Sequence, residues 1–247
     1  MKVVFIGKNK KQIFKKLGYI VLGLFALFQI YLFIRLYWLA SCSIPTYSMS
    51  PTLKNGDYIL VSLQIPGRRE INEDADSDKL LVRRVKGMRQ VRKDDVVVFN
   101  FPYTENESRM TLDMKIFYCK RCVATPGEIY SWWWEERVDS VYLPHEGETL
   151  TIDTLNFHHY SHPIEYETGR MPELVDGIVM HADTMMNSYR FKSNYYFMQG
   201  DNYAGSYDSR FWGILPEDFI LGVGLFTWFS KEPKTGKIRW ERMFRKL

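Results

Sequence analysis

The longest apolar stretch of the chain covers residues 17–34, where 18 residues (LGYIVLGLFALFQIYLFI) carry no charged side chain. An α-helix rises about 1.5 Å per residue, so this stretch would extend roughly 27 Å, close to the thickness of the hydrocarbon core of a bilayer. Arg35, Tyr37 and Trp38 follow, and such residues are typical of the membrane interface. The pattern predicts a basic arm over residues 1–16 and a transmembrane anchor over residues 17–40.

Beyond the anchor, short runs rich in Val, Ile, Tyr and Phe alternate with turn residues, a pattern that predicts β-strands. A sustained helical period is rare in this part of the chain. The Asn55-Gly56 pair lies between two apolar stretches and indicates a turn of the hairpin type. The predicted strands cover residues 58–63, 96–101, 116–123, 195–198 and 220–229.

Two changes in composition subdivide this β-rich body. Residues 65–80 are charged and rich in turn formers, which predicts a surface loop. Residues 131–197 have weak periodicity and carry the run Trp132-Trp133-Trp134, which is typical of an insert between better-patterned segments. The predicted units of the body are a first β segment at 41–130, an inserted subdomain at 131–197 and a second β segment at 198–247.

The charge of the chain is unevenly distributed. Six lysines and no acidic residue lie within positions 1–16; without them, 27 basic residues face 29 acidic ones, a net charge of −2. The body is therefore not basic, which argues against a nucleic-acid partner. The lysines also predict, by the positive-inside rule, a cytoplasmic N-terminus with residues 41–247 on the other side.

Three segments carry unusual polar residues. Residues 44–53 (IPTYSMSPTL) hold a run of hydroxyl side chains between two prolines, which restrict the backbone and can present one hydroxyl in a set direction. Residues 118–128 hold Lys120 and Arg121 within an apolar strand, so one of the two should point inward. Residues 200–213 form a loop-rich segment in which Asp208 and Arg210 can form a fork-shaped ion pair.

With a fourth segment near Val96, these stretches resemble the characteristic boxes of the bacterial type I signal peptidases, in the same order and behind a similar anchor. The resemblance covers most of residues 44–130 and 198–225. It implies a mainly β protein with an antiparallel signal-peptidase-like catalytic core, a small inserted subdomain and one N-terminal transmembrane helix. The family patterns SMxPTLxxGDxxLV, GDxVVFxxP, KRxxGxPGD and GDNxxxSxDSRxWG correspond to residues 48–61, 94–102, 120–128 and 200–213.

The resemblance implies that Ser48 is the nucleophile and Lys120 the general base of a serine endopeptidase. A serine hydroxyl needs an adjacent base, and burial lowers the pKa of a lysine from about 10.4 toward the working range. The family sets a serine hydroxyl against the amine, which corresponds to Ser206. A hydroxyl at Thr46 would form the oxyanion hole with the Ser48 backbone N–H. The residues that match a structural ion-pair group near the site are Asp208, Arg210 and Arg121.

The implied substrates are signal-peptide-bearing precursor proteins with small residues, typically Ala, at the first and third positions before the cut. Membrane lipid is the other implied partner, the location is the bacterial plasma membrane with the catalytic part on the outer face, and no cofactor or metal is needed. One alternative is a self-cleaving relative such as the SOS-repressor family. Another is a catalytically silent, membrane-anchored protein that binds exported chains. The anchor and the intact Ser48, Lys120 and Ser206 favour the enzyme.

Residues outside the predicted dyad carry further expectations. Ala124 and Glu128 depart from the usual Gly and Asp of the lysine box, which affects local geometry more than activity. Cys42 ends a short lipobox-like pattern, so its lipidation stays open. Cys119 and Cys122 should face opposite sides of a strand, which disfavours a shared metal. His158, His159 and His162 could bind a metal, but a solvated loop is the favoured interpretation. Arg68, Arg69 and residues 83–92 are interpreted as solvated charge of loops and strand edges, and the Trp run as either core or membrane interface.

Overall fold

The computed structural model describes residues 5–73, 80–103 and 109–247. Its first element is helix α1 (Phe5–Tyr37), in which Gln12–Arg35 has a mean hydropathy of 2.2 and is not buried by the rest of the chain. These 24 residues extend over about 36 Å, enough to cross a bilayer core. The helix starts within the predicted basic arm, of which residues 1–4 with Lys2 lie outside the described residues. It ends before the predicted anchor does, since residues 39 and 40 already belong to a strand.

The rest of the described chain is mainly β, as predicted. The strands are β1 (Leu39–Ser43), β2 (Asp57–Ser62), β3 (Arg69–Glu73), β4 (Leu80–Arg84), β5 (Val96–Asn100), β6 (Phe117–Ala124), β7 (Ile129–Trp134), β8 (Arg137–Tyr142), β9 (Thr149–Thr151), β10 (Glu173–Val175), β11 (Ile178–His181), β12 (Thr184–Met185), β13 (Ser188–Arg190), β14 (Tyr195–Gln199), β15 (Leu215–Pro216), β16 (Ile220–Ser230) and β17 (Arg245–Lys246). Two further helices are α2 (Phe157–Thr168) and α3 (Ser209–Trp212).

One antiparallel sheet organises the molecule, in the order β1-β2-β16-β5-β6-β14-β15, with β17 added beside β16. All five predicted strands lie in this sheet and are thereby confirmed. The long strand β16 pairs with β2 through Val223↔Ser62 and with β5 through Val223↔Val97, so it joins the two halves of the sheet. Its register shifts at several points, which indicates bulges that bend the strand.

Side-chain alternation gives the sheet two apolar faces. On β6, Cys122 packs into a core cluster with Phe99 and Tyr196, whereas Cys119 packs against a second cluster around Met49. The two cysteines therefore lie in different clusters, in agreement with the expected opposite faces. The three cysteines of the chain are free.

The predicted surface loop at 65–80 is wrong in its centre, because β3 and β4 form a hairpin with Ile71 opposite Val82. Residues 74–79 lie outside the described residues. The prediction of solvated charge is also wrong for two arginines. Arg69 donates to the carbonyls of Asp218 and Phe219, and Arg84 donates to those of Gly67, Glu217 and Ile220. Both arginines connect the hairpin to residues 217–220 through these bonds to backbone carbonyls. Nε and one terminal nitrogen of Arg69 and Nε of Arg84 are buried without a hydrogen-bond partner among the described residues.

The predicted insert packs on the central sheet through one apolar cluster, in which Trp132, Tyr160 and Phe191 join Tyr195 and Phe197 of β14. It consists of the β7–β8 hairpin, helix α2, the β9–β13 pair and the small sheet β10-β11-β12. The predicted boundaries differ from the structure at both ends, because β7 begins at Ile129 and residues 195–197 lie in β14 of the central sheet. The predicted solvated loop with three histidines is helix α2, whose C-cap is Gly169 in the left-handed conformation.

Candidate active site

Ser48 lies in the connection between β1 and β2, which pair antiparallel from Ser43↔Tyr58 onward. The predicted turn is present, since the Asp57 N–H donates to the Lys54 carbonyl over 3.0 Å. The hairpin loop is much longer than a two-residue turn, however, and covers residues 44–56. Its apolar side chains Met49 and Leu53 are buried, which fixes the loop on the sheet.

Buried ionic contacts from the C-terminal segment hold the other end of this loop. Asp57 is fully buried and accepts bonds from Arg242 Nε at 3.0 and 3.1 Å, and from Ser230 Oγ at 2.6 Å. Arg242 also donates to the Thr52 carbonyl, and Arg239 donates to that of Asn55. No local sequence pattern indicates these partners, because they are about 180 residues away along the chain.

Lys120 reaches the Ser48 hydroxyl from the middle of β6. The strand pairs Lys120 with Val97 of β5, and the lysine side chain is 4% exposed. The distance from its Nζ to Ser48 Oγ is 2.7 Å, a hydrogen bond between residues 72 positions apart. The expectation that one member of the Lys120–Arg121 pair points inward is confirmed, since Arg121 is only partly buried.

The surroundings of Lys120 disfavour its charged form. Burial lowers the pKa of its amine below 10.5 and is the largest effect; the nearby Cys119 and Asp208 oppose this shift, while Arg210 adds to it. The ring of Tyr118 lies 5.4 Å from Nζ. A buried amine with a lowered pKa that contacts a hydroxyl can act as a general base near neutral pH.

Thr46 places a second hydroxyl close to the hydroxyl of Ser48. Its Oγ1 lies 3.3 Å from Ser48 Oγ, and the residue is exposed. A hydroxyl there can donate a hydrogen bond to an oxygen that develops negative charge on a carbon attacked by Ser48.

Ser206 is close to the site but lacks the expected contact with the amine. Its Oγ is buried and has no hydrogen-bond partner among the described residues, so the predicted bond to Lys120 is not present. Gly200 lies between Ser206 and the nucleophile loop. A Cβ at Gly200 would overlap the Ser206 side chain and lie 2.5 Å from the Ser48 carbonyl oxygen, so this contact requires glycine.

The predicted ion-pair group divides into two separate pairs, which corrects the single group expected from the sequence. Arg210 donates through Nε and a terminal nitrogen to Asp208 over 2.8 and 2.9 Å, in the predicted fork. Arg121 instead binds Asp201 over 2.7 and 2.6 Å and also contacts Thr52 of the nucleophile loop. Asp201 was not singled out, although it lies in the same sequence box as Asp208.

Asp208 has further contacts that explain its burial. One of its oxygens accepts from the Gly200 N–H over 3.0 Å, and its side chain caps α3. The Asn202 N–H donates to the Ser48 carbonyl over 3.0 Å. The segment 200–210 is thus bound to the nucleophile loop by backbone and side-chain hydrogen bonds together.

The three tryptophans of the Trp run have different environments, because they lie on β7, where successive side chains point to opposite faces. Trp132 is buried in the core of the insert, Trp133 is 66% exposed, and Trp134 packs edge-on against Phe211 of α3.

The sequence of the chain is similar to those of known proteins. The sequence profile of the family described as "Signal peptidase, peptidase S26" matches residues 17–229. The chain is 28% identical over 231 residues to signal peptidase I of Pseudomonas fluorescens, covering 85% of this chain and 72% of that protein. It is 28% identical over 243 residues to the signal peptidase I of Aquifex aeolicus, covering 85% and 83%. It is 26% identical over 269 residues to that of Buchnera aphidicola subsp. Schizaphis graminum, covering 93% and 79%.

Proposed function

Because the chain belongs to the signal peptidase family, peptidase S26, we propose that it is a membrane-bound serine endopeptidase that removes signal peptides from exported precursors. The observation that carries this proposal is the 2.7 Å contact between Lys120 Nζ and Ser48 Oγ. It joins Lys120 of β6 to Ser48 of the β1–β2 loop, the two residues that the sequence boxes predict as base and nucleophile. The hydrolase activity itself is supported by relatives that carry the name signal peptidase I.

The reaction uses the serine as a covalent carrier. Neutral Lys120 takes the proton of the Ser48 hydroxyl while the serine oxygen forms a bond to the scissile carbonyl carbon, whose oxygen becomes negative. The C–N bond then breaks, and the lysine ammonium gives its proton to the departing amine. Water then attacks the carbonyl carbon of the resulting ester and gives a proton to Lys120. The C–O bond to Ser48 breaks, Lys120 returns this proton to the Ser48 oxygen, and the signal peptide leaves with a free carboxyl end.

The first prediction concerns the pH dependence of cleavage. We expect kcat/KM to rise with pH as Lys120 loses its proton, and to be half-maximal below pH 10.5, because burial lowers the pKa of this amine. Activity is therefore lost as the pH falls through the pKa of Lys120. The measurement is cleavage of one precursor from about pH 6 to about pH 10, with far-UV circular dichroism to exclude unfolding. A flat profile over that range would contradict a lysine base.

The second prediction concerns the oxyanion. Thr46→Val keeps the shape of the side chain but removes the hydroxyl, so kcat should fall about 10²–10³-fold with little change in KM. Thr46→Ser retains a hydroxyl and should keep most of the activity. Steady-state cleavage of a fluorogenic precursor peptide distinguishes the two variants. Equal activity of the valine and serine variants would exclude the hydroxyl as a donor.

The neighbours of the dyad serve in this proposal as positioning residues. Ser206 is assigned to orient the lysine, supported by its burial beside Gly200 and by its place in the family pattern; in this assignment its free hydroxyl would turn toward the amine. Arg121 with Asp201 joins β6 to the nucleophile loop. Asp208 with Arg210 fixes the segment that carries Ser206.

The substrate is an extended segment with small side chains before the cut. Its backbone would add as a strand at a sheet edge, with shallow pockets for the side chains at the first and third positions. The edge strand β1 leads directly into the loop of Ser48, which supports this mode of binding.

One experiment tests this function directly. The detergent-solubilised protein is incubated with a secretory precursor that carries an Ala-x-Ala site, and the products are analysed by mass spectrometry. We expect a single cut after the final Ala. A matched precursor with a bulky residue in place of that Ala should remain intact. Lack of cleavage of several precursors by a folded protein would refute general signal peptide removal and favour the silent binding protein.

The membrane arrangement is part of the same proposal. Helix α1 is long and apolar enough to cross the bilayer once, and the lysines that precede its apolar stretch support a cytoplasmic N-terminus with the sheet on the outer face. Protease added to the outside of intact spheroplasts should digest the body and spare an N-terminal tag. The opposite pattern of protection would reverse the proposed orientation.

A further inference from the structure

Three metal-ligating side chains converge between the β7–β8 hairpin and α2. They are Asp139 of β8 and the neighbouring residues His158 and His159 in the first turn of α2. One ligand atom of each residue lies within 4.8 Å of the other two. The residues come from two elements that pack against each other. Their proximity therefore depends on the tertiary structure and does not correspond to a sequence motif.

The distances suit a small cation. In a tetrahedral zinc site with ligand bonds of about 2.0–2.1 Å, ligand atoms are about 3.3 Å apart. His159 Nε2 is already 3.5 Å from Asp139 Oδ1, and the rings of His158 and His159 have centroids 3.7 Å apart. His158 is exposed, so its ring can turn toward the other two ligands without disturbing the core.

The space around these ligands can hold the rest of a coordination shell. The three residues line a cavity of about 350 Å³, which also contains His162. The buried Nδ1 of His162 has no hydrogen-bond partner within the described part of the chain, and its closest carboxylate oxygen, from Glu165, is 3.5 Å away. This volume accommodates water as a further ligand.

We propose that Asp139, His158 and His159 form a binding site for a divalent first-row transition ion of the zinc class. Two imidazoles and one carboxylate suit zinc, copper, nickel or iron, whereas magnesium and calcium prefer oxygen ligands. The ion would connect the β7–β8 hairpin to α2 and stabilise the insert. The dyad lies on the central sheet, so cleavage itself does not pass through this ion.

The test measures binding directly. Full-length protein without a histidine tag is stripped with a chelator and dialysed against Zn²⁺, Co²⁺ or Mg²⁺ in separate samples. We expect one Zn²⁺ per chain, visible d–d absorption bands with Co²⁺, and no binding of Mg²⁺ at the same concentration. Zn²⁺ should also raise the melting temperature, because it binds the folded state.

Two variants and one control identify the ligands. His158→Ala and Asp139→Asn should each weaken Zn²⁺ binding by about 100-fold or more and abolish the Co²⁺ bands. Both changes affect side chains that are partly or largely exposed, and melting of the metal-free proteins checks their fold. The control is His145→Ala, since His145 lies 3.4 Å from Glu148 as a comparable pair outside this cluster.

Two results would overturn the proposal. One is substoichiometric Zn²⁺ binding by the wild-type protein. The other is binding that His158→Ala and Asp139→Asn leave unchanged, or that His145→Ala weakens equally.

Discussion

Ser48→Ala and Lys120→Arg each reduce kcat/KM for precursor cleavage by an expected 10³-fold or more, on the order seen when a nucleophile or its base is removed. The alanine variant has no oxygen to form the acyl-enzyme. The arginine variant keeps the positive charge and most of the volume, but a guanidinium cannot give up its proton in a protein and so cannot act as a base. A role of Lys120 as a mere charge or spacer would leave the arginine variant active.

Matched variants exist a few residues away from each partner. Ser50→Ala removes a hydroxyl from the same loop whose only described bond is a long one, 3.5 Å to the Leu53 carbonyl. Lys115→Arg changes an exposed lysine just before β6. Both should retain activity within a few-fold. Intact-mass spectrometry of products detects traces of cleavage, and a Ser48→Ala protein that cleaves at a normal rate would exclude Ser48 as the nucleophile.

The second large effect is on stability. Asp57→Asn should lower the free energy of unfolding by about 3–5 kcal/mol, because it leaves the buried Arg242 without its counter-charge. Asp183→Asn is the matched control, since its pair with Arg170 is exposed and should change stability by less than about 1 kcal/mol. Urea unfolding followed by tryptophan fluorescence measures both. Equal effects of the two variants would contradict the dominance of the buried pair.

The Asp57–Arg242 pair also makes the stability of the protein depend on pH in a predictable direction. Burial alone would raise the pKa of Asp57, but hydrogen bonds from Arg242, Ser230 and the Lys54 backbone outweigh it and lower the pKa below 3.8. The stabilisation is therefore complete above the ordinary aspartate pKa and is lost as the pH falls through the lowered value. Asp57→Asn should lose this acid-dependent part of its stability. A double variant with Arg242→Met should recover stability relative to Asp57→Asn alone.

Local patterns predicted much of the fold. The five apolar runs became strands of the central sheet because their composition and bounding turns are properties of short segments. The order of the strands could not be predicted, since pairing of β16 with both β2 and β5 depends on contacts between distant segments. Helix α2 was missed because its histidines and Pro163 are weak helix formers and give no clear period.

The candidate site, like the fold, was predicted in part. The contact of Lys120 with Ser48 followed from the sequence boxes. The pairing of Arg121 with Asp201 did not, because Asp201 and Asp208 lie in the same segment and the sequence does not show which of them Arg121 contacts. Arg69 and Arg84 were misjudged for another reason. Their partners are backbone carbonyls, which no side-chain pattern reveals.

The junction between α1 and the sheet determines how a soluble form of this protein can be made. The Trp38 N–H donates to the Ile34 carbonyl at the end of the helix, and the Trp38 carbonyl accepts from Leu63 just beyond β2. The helix thus passes into an edge strand with no flexible spacer. A truncation placed after Ser43 would strip β1, uncover the backbone of β2 and invite edge-to-edge aggregation. A truncation just before Trp38 removes the apolar helix and keeps the complete sheet, so it is the start point for a fragment that stays dispersed without detergent.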